Sequence, residues 1–216
     1  MEHTNDLEIF LVATPGLEAP LYAEAVENRF QNAKIVPGGV SCLGSWSEVW
    51  RANLCLRGAN KVLVRLGSFP AVHLAQLDKR ARRFPWSEFL RPDVAVKVEA
   101  TSRKSRIYHA GAARQRIERA LAETLGVEIS AEAGLRVLLR IEKDICTLSV
   151  DTSGDPLHKR GHKPAVAKAP MRETMAAMFL RECGFDGSEP VLDPMCGSGT
   201  FVIEAAEIAL GLHPGR

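Results

Sequence analysis

Asp193-Pro194-Met195-Cys196-Gly197-Ser198-Gly199-Thr200 sets an acid, two glycines one residue apart and three small polar or thiol side chains in one short run. Glycine at such positions serves two needs: backbone N–H groups approach a ligand without an intervening Cβ, and the turn reaches positive φ. Followed by a helix, the same turn aims unpaired amides at the ligand. Asp193 ends an apolar lead-in and is placed to accept a hydrogen bond from a cationic or hydroxyl-bearing ligand. The stretch lacks the GxxxxGK[ST] of a triphosphate loop and is not a full GxGxxG dinucleotide fingerprint. By spacing alone, a cofactor loop and a purely structural turn both account for it.

A second kind of chemistry is carried by clustered cations. Residues 101–120 hold six Lys/Arg against one acid, Glu118, and residues 156–172 hold five Lys/Arg and two His with no acid. Clusters of this kind matter more than the net charge of +2 when the partner is a polyanion. Arg103, Lys104, Arg106 and Arg114 are candidate phosphate contacts, with Arg116 and Arg119 on the same polar helix side. Tyr108 and His109 have the shape to stack on a base or ribose. Lys159, Arg160 and Lys163, with His162, read either as a flexible basic linker or as a strap over RNA. For an isolated cluster, a solvated helix face is the competing reading.

The elements that must position these residues follow from periodicity. Residues 7–13 read as a buried strand and the stretch after Pro15-Gly16 as a helix with Leu17, Leu21 and Ala25 on one stripe. A hairpin broken at Pro37-Gly38-Gly39, a helix capped by Ser45 or Ser47, a strand over 61–69 and a helix from Leu74 come next. Residues 94–100 alternate as a half-buried strand. The basic segment then continues as a helix with Ala113, Ile117, Ala120, Leu121 and Leu125 inward, and Lys143-Asp144 marks a hairpin. Gly154, Pro156, Gly161, Pro164 and Pro170 make 152–170 an extended linker. Beyond it, Met171, Met175, Met178 and Phe179 form a helical stripe. Val191-Leu192 leads as a strand into the glycine turn, and Phe201, Ala205, Ile208, Ala209 and Leu212 form the inward face of a last helix.

Composition sets outer limits. Apolar residues at 46% and charged residues at 25% match a globular protein, and no apolar run nears the roughly 18–20 residues of a membrane span. Acids near the start replace the positive charge of a signal peptide. Five cysteines without CxxC spacing indicate free thiols, a reducing cytoplasm and no metal site. Cys42, Cys55, Cys146 and Cys183 read as small core residues, and Trp46, Trp50 and Trp86 as packing residues.

Taken as a string, DPMCGSGTFVIEAA (193–206) resembles the S-adenosylmethionine-binding motif I of the THUMP-domain RNA methyltransferases, the family that includes the ribosomal RNA guanine-N2 methyltransferases. DTSGDPLHKRGHK with APMRETMAA is similar to that family's segment between RNA-binding module and catalytic core. VKVEATSRKSRIYHAGA is similar to the THUMP signature strand and helix. The resemblance implies an α+β chain: a ferredoxin-like N-terminal domain (1–60), a THUMP RNA-binding module (61–151), a basic linker (152–170) and the first elements of a Rossmann-like methyltransferase domain (171–216).

It also implies roles. Asp193, Pro194, Gly197 and Gly199 would form the S-adenosylmethionine loop, lined by Cys196, Ser198 and Thr200. Pro170, Glu173 and Thr174 match the helix beside the methionine end of the cofactor. The implied partner is structured RNA, ribosomal by family analogy. The sequence departs from the family in one respect: it holds no Pro-Pro pair, so the Asn/Asp-Pro-Pro-Tyr-like motif that grips the target base is not among its residues. The expectation is an RNA-binding portion with no catalytic residue of its own. A stand-alone RNA-binding module, or a relative of the DNA adenine-N6 methyltransferases, is the alternative.

Overall fold

The computed structural model describes residues 6–163, 166 and 168–216, and divides into two compact units: 1–63 with 155–216, and 64–154. Pro164 of the expected linker lies outside the described residues. The near-continuous apolar run of β1 (Leu7–Val12) buries Ile9, Phe10 and Leu11. β1 pairs antiparallel with β3 (Gly39–Gly44), which pairs antiparallel with β2 (Gln31–Val36). Helices α1 (Glu18–Glu27) and α2 (Trp46–Cys55) and the start of β4 (Lys61–Pro70) complete a β-α-β-β-α-β run. With β4 beside β1, the order β4-β1-β3-β2 is the ferredoxin-like arrangement expected for the N-terminal part. Ser45 occupies the N-cap of α2, but its hydroxyl bonds Ser47 rather than a helix amide.

The second unit contains α3 (Leu74–Arg82), a 3₁₀ turn at Trp86–Glu88, β5 (Val96–Arg103), α4 (Ala110–Leu125), β6 (Leu135–Glu142) and β7 (Ile145–Asp151). β5 and β6 run parallel, connected through α4, and β6 returns antiparallel through β7 at the two-residue Lys143-Asp144 turn, both with φ > 0. The apolar stripe of α4, Ala113, Ile117, Ala120 and Leu121, packs with Leu77, Trp86, Val137, Leu139 and Leu148 as one core. The Trp86 indole donates to Ala81 O at 2.8 Å, which satisfies its polar edge inside that core.

Residues 155–216 pack with the first unit. Here the structure corrects several expectations. No strand forms at Val191-Leu192, and Leu192 is 90% exposed, because a strand of this kind forms only against neighbouring strands that take up its backbone bonds. The inward face of α6 (Thr200–Ala209) carries Thr200, Glu204, Ala205 and Glu207, whereas Phe201 and Ile208 are half-buried. The 155–163 stretch is docked, with Leu157 N donating to Asn60 O at 2.9 Å. Trp46 and Trp50 are exposed, unlike Trp86, and Cys183 is exposed as well. Burial pushes the Cys42 thiol up to about 12 and Cys146 to about 11, so both are protonated fillers. Among the described residues no helix is long and apolar enough to cross a membrane, and no His/Cys/Asp/Glu cluster is suited to a metal.

Glu24 of α1 is buried, and its carboxylate accepts from the backbone N–H of Arg57 (2.7 Å) and Gly58 (3.0 Å). Burial raises its pKa above 4.5, only partly opposed by those two bonds. A raised carboxyl contributes stability that is full below the unfolded pKa and is lost as pH rises through the folded pKa. Glu24→Gln therefore gains melting temperature relative to the parent as pH rises from about 4.5 to 7; a difference that stays flat across thermal melts in this window contradicts the assignment.

Candidate cofactor loop and nucleic-acid interface

The glycine loop is built as its residue types require. Gly197 and Gly199 have φ of +51° and +73°, and Gly199 is the left-handed N-cap of α6. Gly199 N donates to Cys196 O at 2.7 Å, and Asp193 Oδ1 accepts from Met195 N at 3.0 Å, which closes the turn that begins the loop. Cys196, Pro194 and Gly197 are exposed, while Asp193, Ser198 and Gly199 are half-buried. The first amides of α6 thus point from a helix N-terminus that no side chain caps.

The segment entering α5 (Glu173–Glu182) lies beside this loop. Thr200 Oγ1 donates to Met171 O at 3.3 Å, and Lys163 Nζ donates to the same carbonyl at 3.0 Å. Phe179 and Phe201 tilt together at 6.4 Å. An open cavity of about 400 Å³ is lined by His158, Lys163, Met171 and Glu173 among others. Burial, followed by the charge of Arg172, lowers the His158 pKa, so this imidazole is neutral at physiological pH.

Several residues assigned from sequence have other duties here. Thr174 is buried, and its hydroxyl donates to Asn60 Oδ1 at 2.7 Å, so it does not face an open ligand site. The Glu173 carboxylate pairs with Lys163 at 3.0 Å, and the Lys163 side chain is only 6% exposed. Arg160, at 2% side-chain exposure, is held by Glu204 and by Arg57 O. Arg160 and Lys163 are therefore structural cations rather than an RNA strap; of the three, Lys159 alone is exposed. Their burial follows from carboxylates brought from α6 and α5, which adjacent sequence does not reveal.

Two positions carry no motif in the sequence. Asn60 gathers four segments: its N–H donates to Val12 O (2.8 Å), its Nδ2 to Thr14 Oγ1 (3.0 Å), and it receives Leu157 N and Thr174 Oγ1. Arg57 bonds Glu204 at 2.6 Å, lies 3.6 Å from Glu207 and reaches Leu212 O. Glu207 also lies 2.9 Å from Arg216 and 2.5 Å from His162 Nδ1. The only prior sign of this cluster was two acids, Glu204 and Glu207, at helical spacing on an otherwise apolar helix.

In the second unit the basic residues collect where β5 passes into α4. Arg103 and Lys104 are exposed, the latter with φ of +49°; Tyr108 is 85% exposed. Arg106 is 73% exposed, with its N–H on Asp144 Oδ1 (2.8 Å) and its guanidinium 3.5 Å from the same carboxyl. The Asp144 N–H in turn donates to Ser105 Oγ (3.1 Å), so the hairpin turn is fastened to the basic loop and adds the exposed Lys143 to it. Arg114 pairs with Glu118 at 3.4 Å, one turn along α4. His109 caps α4, its Nδ1 accepting Ala112 N at 3.1 Å, which leaves that nitrogen committed.

Residues 8–63 match the RlmL ferredoxin-like domain, 71–151 the THUMP domain and 160–216 the RMKL-like methyltransferase domain. A ribosomal RNA large subunit methyltransferase K/L of Psychromonas ingrahamii is 32% identical over 97% of this chain and 29% of its own length. A solved structure described as a predicted N6-adenine-specific DNA methylase from Listeria monocytogenes matches with a TM-score of 0.89 and 32% identity, over 98% of this chain and 57% of that one. A putative methyltransferase, SMU.472, complexed with SAH, matches at 0.88 with 26% identity, over 97% and 57%. The chain thus spans about a third to somewhat over half the length of such relatives.

The buried acids of α6 generate a prediction. Glu204 is 2% exposed between two arginines, so Glu204→Ala leaves buried guanidinium charge uncompensated and costs about 3–5 kcal/mol by chemical denaturation. For Glu207, burial acts upward but the bonds from Arg216 and His162 outweigh it, and its pKa is lowered. A lowered carboxyl gives stability above its unfolded pKa that is lost as pH falls through the folded one. Glu207→Gln accordingly melts below the parent at pH 7, and the gap closes below about pH 4.5. A gap that persists at low pH contradicts the charge assignment.

Proposed function

The chain belongs to the THUMP-containing RNA methyltransferases, whose N-terminal portion it matches, and on that premise we propose that it is the RNA-binding portion and first cofactor-binding elements of an S-adenosylmethionine-dependent enzyme acting on structured RNA. The observation that carries this reading is the glycine loop: two glycines at positive φ open α6 directly beside Met171, as a close-approach cofactor turn requires. Asp193, Pro194, Cys196, Gly197, Ser198, Gly199 and Thr200 would hold S-adenosylmethionine, with Glu173 at the edge through its Lys163 pair. The uncapped N-terminus of α6 and the half-buried Asp193 fit such a ligand's hydrogen-bonding groups.

When bound, S-adenosylmethionine would supply a sulfonium methyl group that is already activated for transfer. The protein's own part is positioning, which turns an encounter into an oriented reaction. The proposed acceptor is an exocyclic amine, guanine N2 of ribosomal RNA: ribosomal RNA by likeness to the K/L methyltransferases, guanine N2 by the resemblance of the 193–206 motif. Such an amine sits in a stacked base, so the base must leave its stack. Arg103, Lys104, Arg106, Arg114 and Lys143 would take the phosphates and Tyr108 would stack, while Lys159 adds an exposed cation in the other unit. A DNA adenine-N6 acceptor is the second reading, favoured by the description of the Listeria relative; the THUMP match favours RNA. With no Pro-Pro motif among its residues, the 216-residue chain alone would bind RNA and transfer no methyl group.

Two outcomes are expected from filter binding and methyl-transfer assays. Arg103→Ala/Lys104→Ala/Arg106→Ala weakens RNA binding and lowers the log-log salt slope by about 2–3, one for each lost phosphate contact. Unchanged affinity contradicts the interface. No label passes from methyl-labelled S-adenosylmethionine to RNA; detectable transfer by the purified chain contradicts the binding-portion reading.

A further inference from the structure

Helix α3 and its C-cap Arg83 divide four cations between two faces. Arg82 is engaged, by Asp78 at 2.8 Å and by Glu123. Lys79, Arg80 and Arg83 are exposed and have no carboxylate partner among the described residues. These three border an open cavity of about 530 Å³, a size typical of small-ligand sites. Its other wall is the end of β4, with Phe69 and the backbone of Gly67-Ser68, and the ring of Phe84. Among the described residues no acid lines it, which separates it from the cavity beside α5, where Glu173 neutralises Lys163.

The rings in this groove are fixed in advance. Phe84 lies over Gly67, where an added Cβ would come within 3.1 Å of the ring. Trp86 braces Phe84 at 4.6 Å and Phe89 stacks at 6.1 Å, while Phe69 tilts toward it at 6.4 Å. A favourable helix dipole explains cations in the last turn of α3, but not their sharing a cleft with half-buried rings. Unpaired cations beside aromatic rings in a cleft without acids are the combination that accommodates both parts of a nucleotide, its phosphate and its base.

Resting on the RNA-binding reading above, we propose that the α3–β4 groove is a second RNA subsite, one that takes an unpaired nucleotide of the substrate. Lys79, Arg80 and Arg83 take its phosphates, and the base lies against the Phe69 and Phe84 edge. The β5–α4 loop would then serve the structured part of the RNA, and this groove a loop, bulge or tail.

The test compares two RNAs on the full 216-residue chain: a blunt hairpin, and the same hairpin carrying an unpaired tail of about six nucleotides. The parent chain is expected to prefer the tailed RNA by about tenfold, and Lys79→Ala/Arg80→Ala/Arg83→Ala to erase that preference while binding the blunt hairpin as before. Since all three side chains are exposed, its melting curve should match the parent's; Phe69→Leu, which keeps the charge, should reduce the preference in part. A preference that survives the triple substitution overturns the groove, and so does an equal loss for both RNAs, which marks a non-specific charge effect. If the parent binds neither RNA, the RNA-binding reading itself fails, a result distinct from loss of tail preference alone.

Discussion

Arg57 is gripped on both sides: its backbone N–H is bonded by Glu24 of α1, and its guanidinium by Glu204 of α6. Arg160 enters from the 155–163 stretch, binding the other Glu204 oxygen and the Arg57 carbonyl. One carboxylate thus ties three remote segments of chain at a site from which water is largely excluded. Glu204 bonds both arginines, and Glu207 and the backbone carbonyls of Leu212 and Arg57 supply the further partners that make such burial tolerable. The position of the glycine loop depends on this junction, because α6 carries both Glu204 and the N-terminus that the loop opens. Asn60 provides a second, uncharged tie, bonding β1, the docked stretch and Thr174 of α5.

The consequence for function is an arrangement within the first unit: the elements proposed to hold a methyl donor are anchored to the ferredoxin-like domain by buried polar groups. Apolar packing adds Phe179 against Phe201 and the buried residues of α5. The pairs draw on a small set of buried carboxylates: Glu204 bonds both arginines, and Glu207 stands 3.6 Å from Arg57. In the second unit the Lys143-Asp144 turn plays a comparable part, fastening the basic loop through Arg106 and Ser105.

Much of this was legible in the chain itself. Period-2 and period-3.6 patterns located the strands and helices because each half-buries one face, as at Ala113, Ile117 and Leu121. The positive φ of Gly197 and Gly199 follows from the residue type. Other features were not legible, and for specific reasons. Arg160 and Lys163 look like free cations until the fold delivers Glu204 and Glu173 to them. The inner face of α6 was assigned to Phe201 and Ile208 because hydrophobicity does not anticipate glutamates neutralised from outside the helix. Val191-Leu192 has strand residues, but a strand is a property of its neighbours.

The central claim, that this chain presents RNA-binding surfaces on its THUMP unit, is most directly tested by photocrosslinking to a 4-thiouridine-substituted structured RNA, with the crosslinked peptides mapped by mass spectrometry. Crosslinks should fall on the 103–114 loop and helix start and around the α3–β4 groove, with few on α2 despite its exposed Trp46 and Trp50. Crosslinks concentrated on α2, or the absence of crosslinks from residues 64–154, would contradict it.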